Sequence, residues 1–261
     1  MIMNNIRFGV CALPDQVAAA AKAGFDYLEM DINELLKLDA DAYRAMAADM
    51  QKYGIYPEVL SGMLPDGIDI VGEHVSAKVI HNALDHSFEI ARALGAEMMI
   101  FDCAGARHLP LGFDPAMAWR QMGNFIRMLQ SYAADNDMRV ALLPLRRSIA
   151  DLMSYTSEAT LISAMLRLDR VGVAASSYNM AMEAESLPAL RRCGSLLWHM
   201  KTSNVLGNRF PKAGDGEDYA ALFAMLKEMK YEGRISCEGA YADFEKDAKE
   251  ALSCLKAAVR E

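Results

Sequence analysis

Short apolar runs alternate with longer segments of helical periodicity along the whole chain. The apolar runs are 8–13, 27–30, 56–60, 98–102, 140–144, 171–175, 196–201 and 235–238. The segments with a period near 3.6 residues are 14–22, 39–53, 76–94, 115–136, 156–168, 183–192, 218–230 and 242–260. Apolar strands that alternate with amphipathic helices are typical of a parallel sheet covered by helices. The pattern therefore predicts eight βα units in succession.

The number of units favours a closed barrel over an open sheet. Eight units within 261 residues fit a single α/β domain, a (β/α)8 TIM barrel over residues 1–261. The first apolar run leads into Cys11-Ala12-Leu13-Pro14-Asp15 and lacks the glycine-rich turn of a dinucleotide-binding fold. Gly24, Gly54 and Gly95 follow helical segments and are the predicted helix stops.

Composition and charge restrict the partners. The chain is 53% hydrophobic with a net charge of −8, so we expect a soluble protein that binds neither nucleic acid nor an anionic membrane. No apolar stretch approaches the length of a membrane-spanning helix. The five cysteines contain no CxxC pair, and the first seven residues lack the pattern of an export signal. These features predict a cytoplasmic location.

In such a barrel, chemistry takes place at the carboxyl ends of the strands. Glu238 ends an apolar strand, and a carboxylate near a barrel interior is unfavourable unless it is paired or used, so we favour a site role over a structural salt bridge. His199 either serves the site or is a hydrogen-bonded core residue. Asp102 either faces the site or caps the turn that follows it. Glu29 and Glu58 end the second and third runs, where surface and loop roles are as common.

Longer motifs at these strand ends resemble one known family. Residues 142–147 resemble its apolar-Glu-Pro-Leu-Asn-Arg motif, and residues 176–180 resemble its Asp-x-Tyr-His-Met motif. Residues 198–200 align with its histidine-bearing seventh strand, and residues 231–239 closely resemble its last strand. The family is the xylose-isomerase-like TIM-barrel superfamily of sugar isomerases and epimerases. The resemblance implies the same fold.

The resemblance also implies a divalent metal site, but half of its ligands are absent. The family binds one metal ion through Glu, Asp, His and Glu on strands five to eight. Here Leu143 takes the place of the first Glu, Ser176 that of the Asp and Asn179 that of a nearby His, while His199 and Glu238 remain. A hard cation prefers several oxygen ligands. A tightly bound Mn²⁺, Mg²⁺, Co²⁺ or Zn²⁺ is therefore not expected, and His199 and Glu238 form the incomplete set that would hold one.

Four arginines, together with Asp102, are the candidate substrate-binding residues. Arg107 and Arg209 match loop positions that, by resemblance, hold substrate oxygens or phosphate. Arg146 and Arg147 follow the missing glutamate, and guanidinium groups bind carboxylate or phosphate in a bidentate manner. One hypothesis is that arginine partly replaces the charge of the metal. The alternative is that Arg146 and Arg147 pair with acids of the outer helices.

Two functions remain open. The first is a sugar or sugar-phosphate isomerase or epimerase that acts on a small polyhydroxy carbonyl compound, with Glu238 as acid and base and His199 as its partner. The second is a barrel without catalysis that binds a sugar-like ligand or supports an active paralogue. A homodimer is an expectation of the resemblance alone.

Overall fold

Eight parallel strands form a closed barrel in the computed structural model, which describes residues 6–260. The strands are β1 (Arg7–Cys11), β2 (Tyr27–Asp31), β3 (Pro57–Ser61), β4 (Met98–Phe101), β5 (Arg139–Leu142), β6 (Val171–Ser176), β7 (Leu197–Thr202) and β8 (Arg234–Cys237). They follow chain order around the barrel, and the pairing of β1 with β8 closes it. The predicted (β/α)8 barrel is confirmed. The prediction that the first seven residues form no export signal falls mainly on residues 1–5, which lie outside the described part of the chain.

Helices cover the outside of the barrel. They are α1 (Val17–Ala23), α2 (Ile32–Leu35), α3 (Ala40–Tyr53), α4 (Ala77–Leu94), α5 (Pro115–Asp135), α6 (Thr156–Leu166), α7 (Ser177–Met182), α8 (Tyr219–Glu228) and α9 (Phe244–Ala258). Asp39 caps α3 by accepting backbone N–H groups of that helix. The predicted stops are confirmed: Gly24, Gly54 and Gly95 follow α1, α3 and α4 in the left-handed conformation. Among residues 6–260, no helix is long and apolar enough to cross a membrane.

One predicted helix, 183–192, is wrong. The chain enters α7 directly from β6. Ser176 is both the last residue of β6 and the cap of α7, because its hydroxyl accepts the Asn179 N–H. α7 ends at Met182, and Ala184 then adopts a positive φ of 54° that breaks the helix. A separate 3₁₀ helix spans Leu187–Arg192. The predicted segment therefore contains a 3₁₀ helix in its second half and no α-helix.

Alternate residues of each strand face two different apolar layers. One layer lies between the strands and the helices, and it includes Leu28, Met99 and Ile235. The other fills the barrel interior and comprises Tyr27, Val59, Met98, Ile100, Ala141, Leu143, Leu145, Ala150 and Ala174. Strand side chains alternate with a period of two. A strand residue that lies two positions after a member of this inner layer therefore also points into the barrel.

The amino end of the barrel is closed by Tyr27. Its ring lies so near Gly9 that a Cβ there would come within 2.2 Å of it, so only glycine fits. The Tyr27 hydroxyl is 3.0 Å from the Ser236 hydroxyl. The guanidinium groups of Arg7 and Arg234 lie 5.9 and 5.8 Å from the centre of the ring. Tyr27 and the two arginines therefore occupy the amino end of the interior.

Candidate functional site

A shift of register between β6 and β7 directs two polar residues of β7 into the barrel. Val173 pairs with Leu197 but Ala174 pairs with His199, so Trp198 is an extra residue in β7. After this bulge, His199 and Lys201 lie two positions apart and share one face of the strand. Both reach Glu29 on β2, at the other side of the barrel interior. Three charged or polar side chains therefore meet inside the carboxyl end of the barrel.

These residues form a chain of ion pairs and hydrogen bonds with Glu238, which follows β8. The His199 Nε2 lies 2.9 Å from Glu29 Oε2, and the Lys201 Nζ lies 2.8 Å from Glu29 Oε1. The same Nζ lies 3.4 Å from Glu238 Oε2, and the Ser176 hydroxyl donates to Glu238 Oε1 at 2.6 Å. Lys201 thus joins two carboxylates. We call Glu29, Ser176, His199, Lys201 and Glu238 the mouth cluster.

Burial and mutual attraction act in opposite directions on the charges of the mouth cluster. Burial by itself raises the pKa of Glu29, but the adjacent Lys201 and His199 outweigh it and hold that pKa well below its usual range. Burial by itself lowers the pKa of Lys201, but Glu29 and then Cys11 and Glu238 outweigh it and raise that pKa well above its usual range. Glu29 is therefore a carboxylate and Lys201 an ammonium at neutral pH.

Glu238 is the member of the mouth cluster that a ligand can reach. Its side chain is 18% exposed, whereas those of Glu29 and Lys201 are 1% and 8% exposed. The Ser176 hydroxyl also accepts the Asn179 N–H, so one serine both caps α7 and orients Glu238. A carboxylate held in this way at a barrel mouth can accept a proton from a bound molecule and return it.

Asp102 lies at the rim, on the β3–β4 side of the mouth. It accepts the Gly62 N–H at 3.1 Å, and its burial, partly offset by the attraction of Lys201, raises its pKa. A cavity of about 170 Å³ adjoins it and is lined also by Asp31, Gly62 and Cys103. Burial raises the pKa of the Cys103 thiol to about 12, so that thiol is not a ready nucleophile.

Leu143 and Arg107 occupy the β5 side of the barrel. Leu143 is buried in the inner apolar layer, at the position that the resemblance gives to a glutamate. Arg107 is fully buried, donates to the Leu143 carbonyl at 3.0 Å and stacks 4.8 Å from the centre of the Phe101 ring. Burial lowers the pKa of Arg107 to about 10. Its carbonyl contacts hold the loop after β4 against the end of β5.

The other three candidate arginines do not join the mouth cluster. Arg146 lies 3.4 Å from Asn179 Oδ1 and over the Tyr178 ring at 5.2 Å, so it borders the mouth. Arg147 turns outward and pairs with Glu183 at 2.6 Å. Arg209 is exposed in the β7–α8 loop, where its backbone bridges to Asn204 and Ala240. Of these, Arg146 is the one whose position suits a contact with a ligand in the mouth.

The sequence alone indicated no role for Lys201, and it left the role of Glu29 undecided between the site and the surface. A signal for Lys201 was available, because it lies two residues after His199 on one strand and so shares its face. No comparable signal tied Glu29 to either residue, because its partner His199 lies 170 positions away in the chain. Glu58, which was grouped with Glu29, instead lies near the start of β3 and faces the amino end.

The donor set does not fit a divalent cation. Both oxygens of Glu29 and both of Glu238 are engaged by neighbouring side chains, and one of these neighbours is the Lys201 ammonium. His199 has a buried Nδ1 without a partner among the described residues. Within residues 6–260, however, no group of three or more His, Cys, Asp or Glu side chains is arranged to hold a metal. Leu143 offers no donor on the β5 side.

Comparison with known proteins agrees with this fold. A family model described as xylose isomerase-like TIM barrel matches residues 17–258. A solved D-psicose 3-epimerase, in the presence of D-fructose, is similar with a TM-score of 0.83 and 16% identity, over 98% of this chain and 100% of that one. A 3-keto-D-glucoside 4-epimerase from E. coli has a TM-score of 0.77 and 20% identity, over 97% and 99% of the two chains.

A third similar structure is not that of a sugar epimerase. It is an AP endonuclease, family 2, from Brucella melitensis, with a TM-score of 0.76 and 16% identity over 98% of this chain and 97% of that one. At these identities the likeness extends to the fold alone. No curated protein sequence gives a significant match.

Proposed function

The chain belongs to the xylose isomerase-like TIM-barrel family, and on that premise we propose that it moves a proton beside the carbonyl group of a small polyhydroxy compound. The class includes sugars and sugar phosphates. The observation that carries the proposal is Glu238, a partly exposed carboxylate at the barrel mouth that contacts both a buried ammonium and a hydroxyl. Similar solved structures include sugar epimerases, which supports the same class.

The proton transfer follows from the placement of Glu238. A carboxylate oxygen takes the proton from the carbon beside the carbonyl, and the electron pair of that C–H bond moves to form an enediolate. Return of the proton to the neighbouring carbon, while the hydroxyl proton passes to the former carbonyl oxygen and the C–OH becomes the new carbonyl, isomerises the compound. Negative charge that develops on the ligand oxygen is stabilised by a nearby positive group, which Lys201 supplies. Ser176 orients Glu238, and the His199–Glu29 pair positions Lys201.

A second function is favoured by one observation. Leu143 places an apolar side chain where the resemblance implies a carboxylate, so β5 brings no acid or base to the opposite face of a ligand. A barrel that only binds a polyhydroxy ligand needs the polar mouth but not this second carboxylate. We therefore keep ligand binding without proton transfer as the alternative.

Exchange of carbon-bound protons with solvent separates the two functions. Wild-type protein is incubated in D₂O with D-fructose, D-psicose, D-tagatose and an inosose, and loss of each proton signal is followed by NMR. We expect exchange in at least one of these compounds and a decrease of about 100-fold or more in Glu238→Gln, because removal of a general base costs roughly that factor. Glu58→Gln, at the opposite end of the barrel, is the matched control and should retain exchange.

The possible results have distinct meanings. Exchange that persists unchanged in Glu238→Gln contradicts the assigned base. Thermal stabilisation by a panel compound without any exchange supports the alternative of a binding protein. Absence of both exchange and stabilisation counts against both functions.

A further inference from the structure

The mouth cluster already contains a cation at its centre. The Lys201 Nζ lies 2.8 Å from Glu29 Oε1 and 3.4 Å from Glu238 Oε2, and it is the one amino group among the ion pairs of this cluster. The two carboxylates come from β2 and from the end of β8, so the ammonium bridges groups that are distant in the chain. This arrangement has the form of a cation held between anionic groups.

The remaining carboxylate oxygens of the cluster contact other side chains. The second oxygen of Glu29 faces His199, and the second oxygen of Glu238 accepts the Ser176 hydroxyl. A divalent ion would have to displace these contacts and lie beside a positive ammonium. Leu143 supplies no ligand in exchange. All four carboxylate oxygens of Glu29 and Glu238 thus lie beside a polar side chain without a metal, while the buried His199 Nδ1 has no hydrogen-bond partner among the described residues.

An ammonium has three N–H donors, and these two carboxylates engage two of them. The Lys201 side chain is 8% exposed, so a molecule that enters the mouth beside Glu238 can bring an oxygen atom to a donor that the two carboxylates leave unused. A positive donor at that place stabilises a carbonyl oxygen as it gains negative charge.

We propose that the Lys201 ammonium takes the part of the divalent cation in this chain, so that the site binds the carbonyl or enediolate oxygen of its ligand without a metal. This inference rests on the proposed function for the identity of the ligand oxygen. The absence of a metal requirement does not depend on catalysis. It follows from the carboxylate oxygens of Glu29 and Glu238, which already contact other side chains, and it can be tested with the metal alone.

A Mn²⁺ titration of the full chain, stripped with a chelator, tests the inference. Free Mn²⁺ is followed by its EPR signal, and melting temperature is measured in parallel. For wild-type protein we expect no stoichiometric binding and a shift of less than about 1 °C, since a ligand stabilises only the state that binds it. One equivalent of tightly bound Mn²⁺ with clear stabilisation would overturn the inference.

A set of variants isolates the contribution of Lys201. The double variant Leu143→Glu/Ser176→Asp restores two carboxylates, and the triple variant adds Lys201→Gln. We expect the triple variant to bind Mn²⁺ at least about tenfold more tightly than the double variant, because removal of the ammonium frees oxygens and removes repulsion. Equal affinity of the two variants would contradict the role of Lys201. Circular dichroism checks that each variant is folded, and the double variant with Lys201→Arg controls for charge.

If the triple variant does not fold, the wild-type titration and the Lys201→Arg protein still decide the question. Lys201→Arg keeps the positive charge and should bind no Mn²⁺, as in wild type. Proton exchange in the presence of EDTA is the separate readout for function. Exchange that persists in EDTA supports the inference, and exchange that stops in EDTA and returns with Mn²⁺ overturns it. Absence of exchange in every condition rejects the proposed function but leaves the titration result intact.

Discussion

The two ends of the barrel carry ion-pair clusters built from the same kinds of charge. At the amino end, Glu58 pairs with Arg7 at 2.5 Å and with Arg234 at 2.7 Å, and Arg234 also pairs with Glu97 at 2.5 Å. At the carboxyl end, Lys201 pairs with Glu29 and Glu238, and His199 pairs with Glu29. Each cluster joins strands that are far apart in the chain.

The clusters differ in their contact with solvent and in what a ligand can reach. The amino-end network extends to the surface, where Arg7 and Glu97 are 44% and 61% exposed. The outer pairs of that network contribute little, because water and salt screen them, whereas the side chains of the central Glu58–Arg234 pair are 14% and 16% exposed. At the carboxyl end the Lys201 ammonium is buried, and the most exposed charged group of the cluster is the Glu238 carboxylate. Similar charges thus support the structure at one end and are available for chemistry at the other.

The largest expected effect is that of Lys201→Met. This substitution leaves Glu29 and Glu238 without their shared cation inside the barrel, and breaking a buried pair in this way costs about 3–5 kcal/mol. Glu58→Gln is the matched change at the amino end, where Gln keeps one oxygen for Arg234 and the Arg7 pair is already screened by water, so we expect a smaller cost of about 1–2 kcal/mol that decreases in part with added salt. Urea denaturation of both variants measures the two free energies of unfolding.

The same pair of variants tests function. Proton exchange per folded molecule should be lost in Lys201→Met and retained in Glu58→Gln. Equal loss of stability in the two variants would remove the distinction between the two ends of the barrel.

A smaller effect is expected at the amino end from Gly9→Ala. A Cβ at residue 9 would lie 2.2 Å from the Tyr27 ring, which is buried and cannot shift without losing its contact with Ser236. Overpacking of this kind costs about 1–3 kcal/mol. Gly123→Ala is the control, because its new Cβ would meet only Arg127, at 3.9 Å, and alanine is the better helix former. Urea midpoints should fall for the first variant and rise or stay constant for the second.

The smallest effect is expected at the rim of the mouth, from Asp102→Asn. Burial raises the pKa of Asp102 in the folded protein, so its charged form reduces stability at pH 7. Asparagine keeps an oxygen for the Gly62 N–H and removes the charge, and we expect this variant to be the more stable at pH 7. The difference should shrink as the pH falls through the folded pKa and vanish below the ordinary value of 3.8.

Urea midpoints at several pH values measure this difference, with Asp66→Asn in the neighbouring loop as the control. A variant that is less stable than wild type at pH 7 would indicate that attraction between Asp102 and Lys201 outweighs the cost of burial.

The sequence allowed prediction of the barrel and of part of the mouth cluster. Strands, most helices and three glycine stops follow from local patterns, because the spacing of apolar residues within each βα unit shows which of its side chains are buried. His199 and Glu238 were selected because they lie at strand ends, and both lie in the mouth cluster. The helix predicted at 183–192 was wrong because local periodicity does not reveal that Ser176 starts α7 directly after β6.

The role of charge at the mouth was harder to predict. Arg146 and Arg147, which follow the missing glutamate, were one hypothesis for a positive group, yet Arg147 pairs with Glu183 and Arg146 contacts Asn179 and Tyr178 at the border of the mouth. A basic doublet looks the same in sequence whether it faces the mouth or an outer helix. The cation that does lie between the carboxylates is Lys201, which belongs to a strand and not to a loop.

The sequence by itself determined the class of fold, the strand ends at which chemistry can occur and the absence of a carboxylate at Leu143. These properties are local, since each depends on the residues of a single βα unit. Only the tertiary structure decided that Glu29, His199, Lys201 and Glu238 meet, because closure of the barrel brings β2, β7 and β8 to one interior. The bulge at Trp198 sets which face of β7 points inward, and it thereby brings Lys201 to the carboxylates of the mouth.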